Sequence, residues 1–319
     1  MPFRKKYALS FVISALLLIF LFSRVDFQKV FDILKTANLL LFFIAMSMTI
    51  LSLSVKSLRW KFFLDVYKTK IRLLDIFSSF LASSFVANAT PARVGEASRP
   101  YFLKRRYKTS FFNILPAVLI ERAIDLVMLI IYSTIFLILF SSMASFIFLI
   151  VIFFASLIIL SIVLIFLNKR ISNSIINIIF KIFSFIGYIS KLKLRVKKFV
   201  NKFYEGTVVL KKANFLAIFL LTAIAWFLES MVLFIVALSL NVPIPIIYCI
   251  GFTSLAVLGG AISSLPGGLG STEIILFGFF LILGYSAPIS LSITLLQRFA
   301  TLGVGILFTS IFFIREVKH

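Results

Sequence analysis

Pro266-Gly267-Gly268-Leu269-Gly270-Ser271-Thr272-Glu273 breaks an apolar run that extends from residue 246 to 286. Pro followed by three glycines in four positions stops a helix, and Ser-Thr-Glu restarts one with hydroxyls and an acid in its first turn. The same form occurs earlier, at Pro91-Ala92-Arg93-Val94-Gly95-Glu96, inside the apolar stretch 73–100. Both read Pro-x-x-[Val/Leu]-Gly, with an acid following at Glu96 or Glu273. The register extends outward. Arg122 lies 31 residues after Pro91, and Arg298 lies 32 after Pro266, in the contexts Leu119-Ile120-Glu121-Arg122 and Leu295-Leu296-Gln297-Arg298. An internal repeat is expected, 1–140 against 144–319.

The rest of the chain is apolar enough to say what surrounds these breaks. Of its 319 residues 61% are hydrophobic and only 14% charged, and the mean hydropathy is +1.14. Soluble domains are about a quarter charged, so a soluble fold is excluded. Apolar runs of bilayer-crossing length recur throughout, as in a polytopic all-α membrane protein. The single His is His319 and the single Cys is Cys249, within an apolar run. No metal site, histidine chemistry or disulfide framework is expected. No Gly-rich phosphate loop occurs either, and no cofactor is expected.

A net charge of +22 is distributed against a nucleic-acid partner. Of 33 Lys and Arg, 26 fall at 4–6, 56–72, 104–108, 168–212 and 315–318, between apolar segments. Basic blocks beside apolar spans mark cytoplasmic loops. With those blocks inside, 7–23 runs outward as a retained span, since no small-residue cleavage site closes it. Residues 38–55 return. The stretch 73–100 begins and ends inside, so it reads as a re-entrant hairpin with its tip near Pro91. Residues 112–140 cross outward and 144–167 return. The region 168–212 carries a basic amphipathic helix in the cytoplasmic interface, attracted by anionic lipid. Residues 213–240 cross outward, 246–286 forms a second hairpin from the opposite face, and 289–313 ends inside. Six full spans and two opposed hairpins make an inverted 4+4 repeat with both termini cytoplasmic. Paired, broken segments in opposed halves mark the binding site of secondary transporters.

Nine ionisable residues fall within spans or hairpins: Arg93, Glu96, Arg99, Glu121, Arg122, Asp125, Glu229, Glu273 and Arg298. Unpaired, each costs ~2.5–3.5 kcal/mol, which a fold of about 5–15 kcal/mol net stability does not sustain. They are expected to pair or to line a wet cavity. Glu96 and Arg99, three apart, share a helix face, as do Glu121 and Asp125, four apart. Arg93, Arg99, Arg122 and Arg298 suit phosphate, as does the restarted helix at Gly267, Gly268, Gly270, Ser271 and Thr272. Asn88 adds a polar group beside the first tip. Glu229 reads as a packing polar near Trp226, Arg59-Trp60 as an interfacial anchor, and Asp65, Asp75, Glu205 and Glu316 as loop acids.

In this order, Arg59-Trp60, Pro91-x-Arg93-x-Gly95-Glu96-x-x-Arg99, Glu121-Arg122-x-x-Asp125 and Pro266-Gly-Gly-Leu-Gly-x-x-Glu273 resemble the lysylphosphatidylglycerol synthase transmembrane family. The resemblance covers nearly the whole chain. It implies a flippase-like membrane domain. The aminoacyl-transferase domain of the two-domain relatives is expected to be absent, and the lysylated lipid is therefore not implied as substrate. Polyprenyl-phosphate and hopanoid lipids are linked to other relatives.

The expected function is translocation of a phosphate-bearing or polyprenyl-phosphate-linked lipid in the cell membrane, without nucleotide energy. An integral-membrane transferase using a polyprenyl-phosphate donor, with Glu121 or Asp125 as general base, is the alternative, and a scaffold for a separate lipid-modifying transferase is a third reading. Membrane lipids are the expected partners. The topology makes a prediction. In a Cys249→Ser background, an impermeant thiol reagent labels a cysteine placed in the 266–273 turn from the outer side only; labelling from the cytoplasmic side alone overturns the opposed hairpins.

Overall fold

The computed structural model describes residues 2–23, 25–66, 71–107, 109–139 and 214–318, with isolated helical positions at 170, 174, 200, 201 and 204. The expected span 144–167 and the amphipathic helix within 168–212 lie outside the described residues, those isolated positions apart. Every regular element among the described residues is helical. The first is α1 (Pro2–Phe22). A short amphipathic helix that the hydropathy reading passed over follows, α2 (Phe27–Lys35), started by the Asp26 carboxylate accepting from the Gln28 N–H at 3.0 Å. Asn38 caps α3 (Leu39–Asp65) in the same way.

The chain then runs through α4 (Leu73–Asn88), a 3₁₀ segment Pro91–Ser98, α5 (Arg99–Tyr107) and α6 (Phe111–Leu139). After Asn214, another side-chain cap, come α7 (Phe215–Ser239) and α8 (Ile246–Ser263). The Pro266–Gly268 turn leads to α9 (Ser271–Ile282). Helix α10 (Ala287–Arg298) passes through a π-helical turn, Phe299–Gly303, into α11 (Val304–Lys318). Among the described residues four continuous helices, Leu39–Asp65, Phe215–Ser239, Ile246–Ser263 and Ala287–Lys318, are apolar and long enough to cross a membrane. At roughly 1.5 Å per residue, the 12 residues of α9 reach about 18 Å, well short of a ~30 Å hydrocarbon core.

Between α-helices the most extensive contacts pair α3 with α7, α4 with α11 and α6 with α8. One apolar core gathers where α7, α8 and α9 meet, with Phe252 stacked on Phe279 at 4.5 Å between ring centroids. A second gathers Trp60, Phe63, Phe80, Leu81 and Leu103. The outer face is apolar as well: Leu16, Ile19, Leu40, Leu216, Leu307 and Ile311 are all more than half exposed. Such a surface belongs in lipid.

Both breaks adopt left-handed backbone. Ala92 and Arg93 have φ of 51° and 55°, and Ser264, Gly267, Gly268 and Gly270 have 54°, 58°, 66° and 88°. Non-glycine residues held there cost about 1–3 kcal/mol each. The breaks also meet: the Ala92 N–H donates to the Ser264 carbonyl at 3.3 Å. Two expectations are corrected. Helix α3 does not end near residue 55 but continues to Asp65, because Trp60, Phe63 and Leu64 face the core. And α9 is not started by a hydroxyl; Gly270 is the N-cap, its N–H held by the Glu273 carboxylate at 2.8 Å.

Gly95 shows how closely the first break packs. A Cβ there would stand 2.5 Å from the Val86 carbonyl carbon, against backbone that has no rotamer with which to yield. Gly95→Ala should therefore destabilise the protein by at least about 1–3 kcal/mol, read as a lowered thermal midpoint in detergent. An unchanged midpoint would mean that α4 and the 3₁₀ segment are not in contact.

Candidate functional site

Arg59 is wholly buried, carried inward on the extended end of α3. Its guanidinium donates to Asp125 at 2.6 Å, to Glu121 at 2.5 Å and to the Thr222 hydroxyl at 2.7 Å. The four-residue spacing of the two acids on α6 sets them side by side, matched to the fork of one arginine. The other oxygen of Glu121 pairs with Arg99, whose Nε donates to Ser83 at 3.1 Å. The Arg99 guanidinium is sandwiched between Trp60 and Phe80, with ring centroids at 4.5 and 4.4 Å. The Trp226 indole N–H donates to Asp125 at 3.0 Å. Each buried charge thus has more than one partner.

Two further pairs adjoin this centre. Glu96 is held by Arg122 and by Arg93, the latter at 2.9 Å. Lys56 pairs with Glu229 and lies 4.1 Å from the Trp226 ring centroid. In the second break, Arg298 pairs with Glu273 at 2.7 Å and donates to the Gly267 carbonyl at 2.7 Å. Glu96–Arg122 and Glu273–Arg298 are the residues that the Pro-x-x-[Val/Leu]-Gly register sets in equivalent positions.

A cavity of about 540 Å³ opens among these groups. Asn88, Arg93, Glu96, Arg122, Asp125, Gly267, Gly268, Thr272 and Arg298 line it, as do the apolar side chains of Leu53, Val118, Leu129, Val257 and Leu302. Arg99, Glu121, Gly270, Ser271 and Glu273 do not. Arg99 and Glu121 are committed to each other behind the wall. Gly270 packs toward Leu17 of α1, and the Ser271 hydroxyl lies 2.8 Å from that of Ser263. The Glu273 carboxylate accepts from the N–H of Gly270, the N-cap of α9, and pairs with Arg298.

Arg59 is not an interfacial anchor. Burial at 0% exposure makes it the hub of the network. Lys56, counted in the sequence as part of a cytoplasmic block, lines the cavity, and Glu229 is its ion-pair partner rather than a lone packing polar. The two added cations change the balance. Nine residues gave five acids against four bases; the described network has six cations, Lys56, Arg59, Arg93, Arg99, Arg122 and Arg298, against Glu96, Glu121, Asp125, Glu229 and Glu273. One positive charge is left over. Arg93, with 46% of its side chain exposed, is the least enclosed of the six.

A second cluster ties the helix ends together. Asp75 on α4 pairs with Arg106 and accepts from the Tyr107 hydroxyl at 2.6 Å, while Glu316 on α11 accepts from Ser78 at 2.5 Å. Both acids are buried on helices rather than solvated in loops. Burial, then this hydrogen bond, pushes the Tyr107 phenol above its ordinary value. Among the described residues no group of three His, Cys, Asp or Glu could hold a metal ion.

Long apolar helices, an apolar outer face and charges paired inside define a multi-pass integral membrane protein with a cavity lined by apolar and charged side chains. Residues 7–308 match the model of the lysylphosphatidylglycerol synthase TM region, and the chain belongs to that family. It is similar to a UPF0104 membrane protein of Methanocaldococcus jannaschii, at 24% identity over 92% of this chain and 90% of that one. A UPF0104 membrane protein of Pyrococcus horikoshii is 21% identical over 98% of both chains, and one of Methanothermobacter thermautotrophicus is 22% identical over 84% and 82%.

Removing the hub from one side should be costly. Arg59→Met leaves Asp125 without its main cation and should lower stability by ~3–5 kcal/mol. Arg59→Met with Asp125→Asn should recover most of that loss, because Glu121 keeps Arg99. Thermal unfolding of both variants in detergent checks this; equal destabilisation would exclude a charge-pairing role for Arg59.

Proposed function

We propose that the protein moves a phosphate-bearing polar lipid between leaflets, with the headgroup phosphate held in the cavity at Arg93 and Arg122. The leftover positive charge carries the reading. A phosphodiester bears one negative charge, so its entry neutralises the network. Arg93 is half exposed at the cavity wall on a strained backbone, the condition of a group held ready for a ligand rather than spent on packing. The apolar side chains of the same wall suit the glycerol and acyl region that follows a headgroup.

The inverted-repeat reading supports movement. Glu96–Arg122 and Glu273–Arg298 pair alike, α4 packs on α11 as α6 packs on α8, and α3 packs on α7. Two halves exchanged by a pseudo-two-fold axis near the breaks would pack in this way. A headgroup site at the meeting point of two re-entrant tips can be opened first to one face and then to the other. Without a nucleotide motif, the movement is passive or ion-coupled. The basic blocks put both termini in the cytoplasm of a cell-membrane protein. A separate lipid-modifying transferase is the partner that would supply or consume the lipid.

The transferase alternative is weakened by the acids themselves. Glu121 holds two arginines, and Asp125 holds Arg59 and the Trp226 indole. A carboxylate so engaged is a poor general base.

Full-length protein in phosphatidylethanolamine–phosphatidylglycerol vesicles should expose fluorescent inner-leaflet phosphatidylglycerol to an external quencher. Arg93→Ala should slow this at least about tenfold, and Arg93→Lys should restore part of it, since an ammonium keeps the charge but loses the bidentate fork. Normal movement in Arg93→Ala would overturn the reading.

A further inference from the structure

Four of the five acids in the charged network are closed in. Glu96, Glu121, Asp125 and Glu273 have side chains no more than 4% exposed, and each is paired with at least one arginine. Arginine does not release its proton in a protein, so those pairs stay charged. Glu229 differs on both counts. Its side chain is 22% exposed on the cavity wall, and its partner, Lys56, is the one lysine of the described network.

The carboxylate is also lightly held. Lys56 donates to Glu229 Oε1, and the Ser52 hydroxyl stands 3.4 Å from that oxygen, with its shorter bond, 3.0 Å, going to the Ala225 carbonyl. Glu229 Oε2 has no hydrogen-bond partner among the described residues and keeps accessible surface. A proton arriving through the cavity can reach it. Of the helices packed on α7, α3 brings Lys56 and Arg59, α6 brings Glu121, Arg122 and Asp125, and α10 brings Arg298. Lys61 and Asp65 of α3 are exposed, and Tyr132 of α6 donates to the Ala223 carbonyl at 2.9 Å. Tyr248 and Cys249 of α8 belong to the apolar core. Glu229 is therefore the cavity acid, among the described residues, that no arginine holds in the charged form.

Protonation changes what the cavity can hold. A proton from water adds to Oε2, the carboxylate becomes a neutral acid, and the ion pair is lost. Lys56 keeps its own proton and its place 4.1 Å from the Trp226 ring centroid. The network's excess rises by one positive charge, so an anion binds more tightly. Linkage makes this mutual: a bound anion favours the proton to the same degree. Intramembrane carboxylates are the usual proton carriers of pumps and transporters.

We infer that Glu229 carries a coupling proton, taken up with each anionic lipid and released with it at the other face. This rests on the phosphate-lipid reading above and adds the coupling ion.

Titration calorimetry of the full-length protein in detergent, in two buffers of different ionisation enthalpy, counts the protons. Native protein should take up a proton as it binds dihexanoyl phosphatidylglycerol. Its affinity should rise at least about tenfold from pH 8 to pH 5, since one linked proton allows about tenfold per pH unit. Glu229→Gln imitates the neutral acid, so it should bind with one affinity at every pH and take up none. In vesicles with the membrane potential clamped at zero, an acidic lumen should make native protein accumulate fluorescent phosphatidylglycerol in the outer leaflet, beyond protein-free vesicles. Glu229→Gln should bring the lipid only to equal distribution. Binding by native protein without proton uptake overturns the inference and leaves the phosphate site standing, whatever the variant does. Equal distribution by native protein across the pH gradient overturns it too, as does proton uptake that persists in Glu229→Gln. No binding at any pH removes the phosphate reading and this inference with it.

Discussion

The structure depends on one guanidinium placed where none is cheap. Arg59 has no exposure, and its bonds reach Glu121 and Asp125 on α6 and Thr222 on α7. Those contacts fix α3, α6 and α7 relative to one another, and through Glu121 they fix Arg99 and the segment that follows the first break. An apolar environment makes this arrangement directional. Hydrocarbon side chains slide past each other at little cost in lipid, where no hydrophobic effect drives helix association. A buried cation with two carboxylates has one low-energy geometry. The centre is therefore rigid because it is polar, and the cavity walls inherit that rigidity.

Rigidity at Arg59 also divides the charged residues by what they are free to do. Arg99 and Glu121 are enclosed on every side and serve as framework. Arg122 and Asp125 present one edge to the cavity and one to the framework. Arg93 reaches the framework through Glu96. Freedom increases toward the cavity, so a ligand meets side chains able to adjust while the residues behind them hold position. Preorganised support behind an adjustable contact layer is how binding sites keep both affinity and access.

Much of this was legible in the chain. The helical class, both Pro-Gly breaks and the pairing of intramembrane charge follow from hydropathy, turn chemistry and the cost of burying ions. Arg59 and Lys56 were obscured by a rule that is otherwise useful. Counting cations beside apolar spans takes any Lys or Arg at a span's end as loop, and α3 carries its two well inside the fold. A signal was present: Thr49, Ser52, Lys56, Arg59 and Phe63 step by three and four, continuing one helix face past the point where the apolar run stops. Helix α2 had its signal too, in Asp26 followed by Phe27, Val30, Phe31 and Leu34. The role of Glu273 was not legible, because a carboxylate in the first turn can welcome an incoming anion's partner or take the anion's place. The structure commits it to the Gly270 N–H and to Arg298.

The contact between the two breaks has a consequence for how the chain can drift. Ala92 and Ser264 are joined by a main-chain bond, N–H to carbonyl, that no side chain makes. Any residue except proline at 92 keeps the donor, and any residue at 264 keeps the acceptor. Both positions have positive φ, so glycine or asparagine would suit them at least as well as what stands there. The junction is thus silent in sequence. Two members of the family can share it without sharing a single side chain across it, and differences at 92 or 264 carry no information about whether the tips still touch.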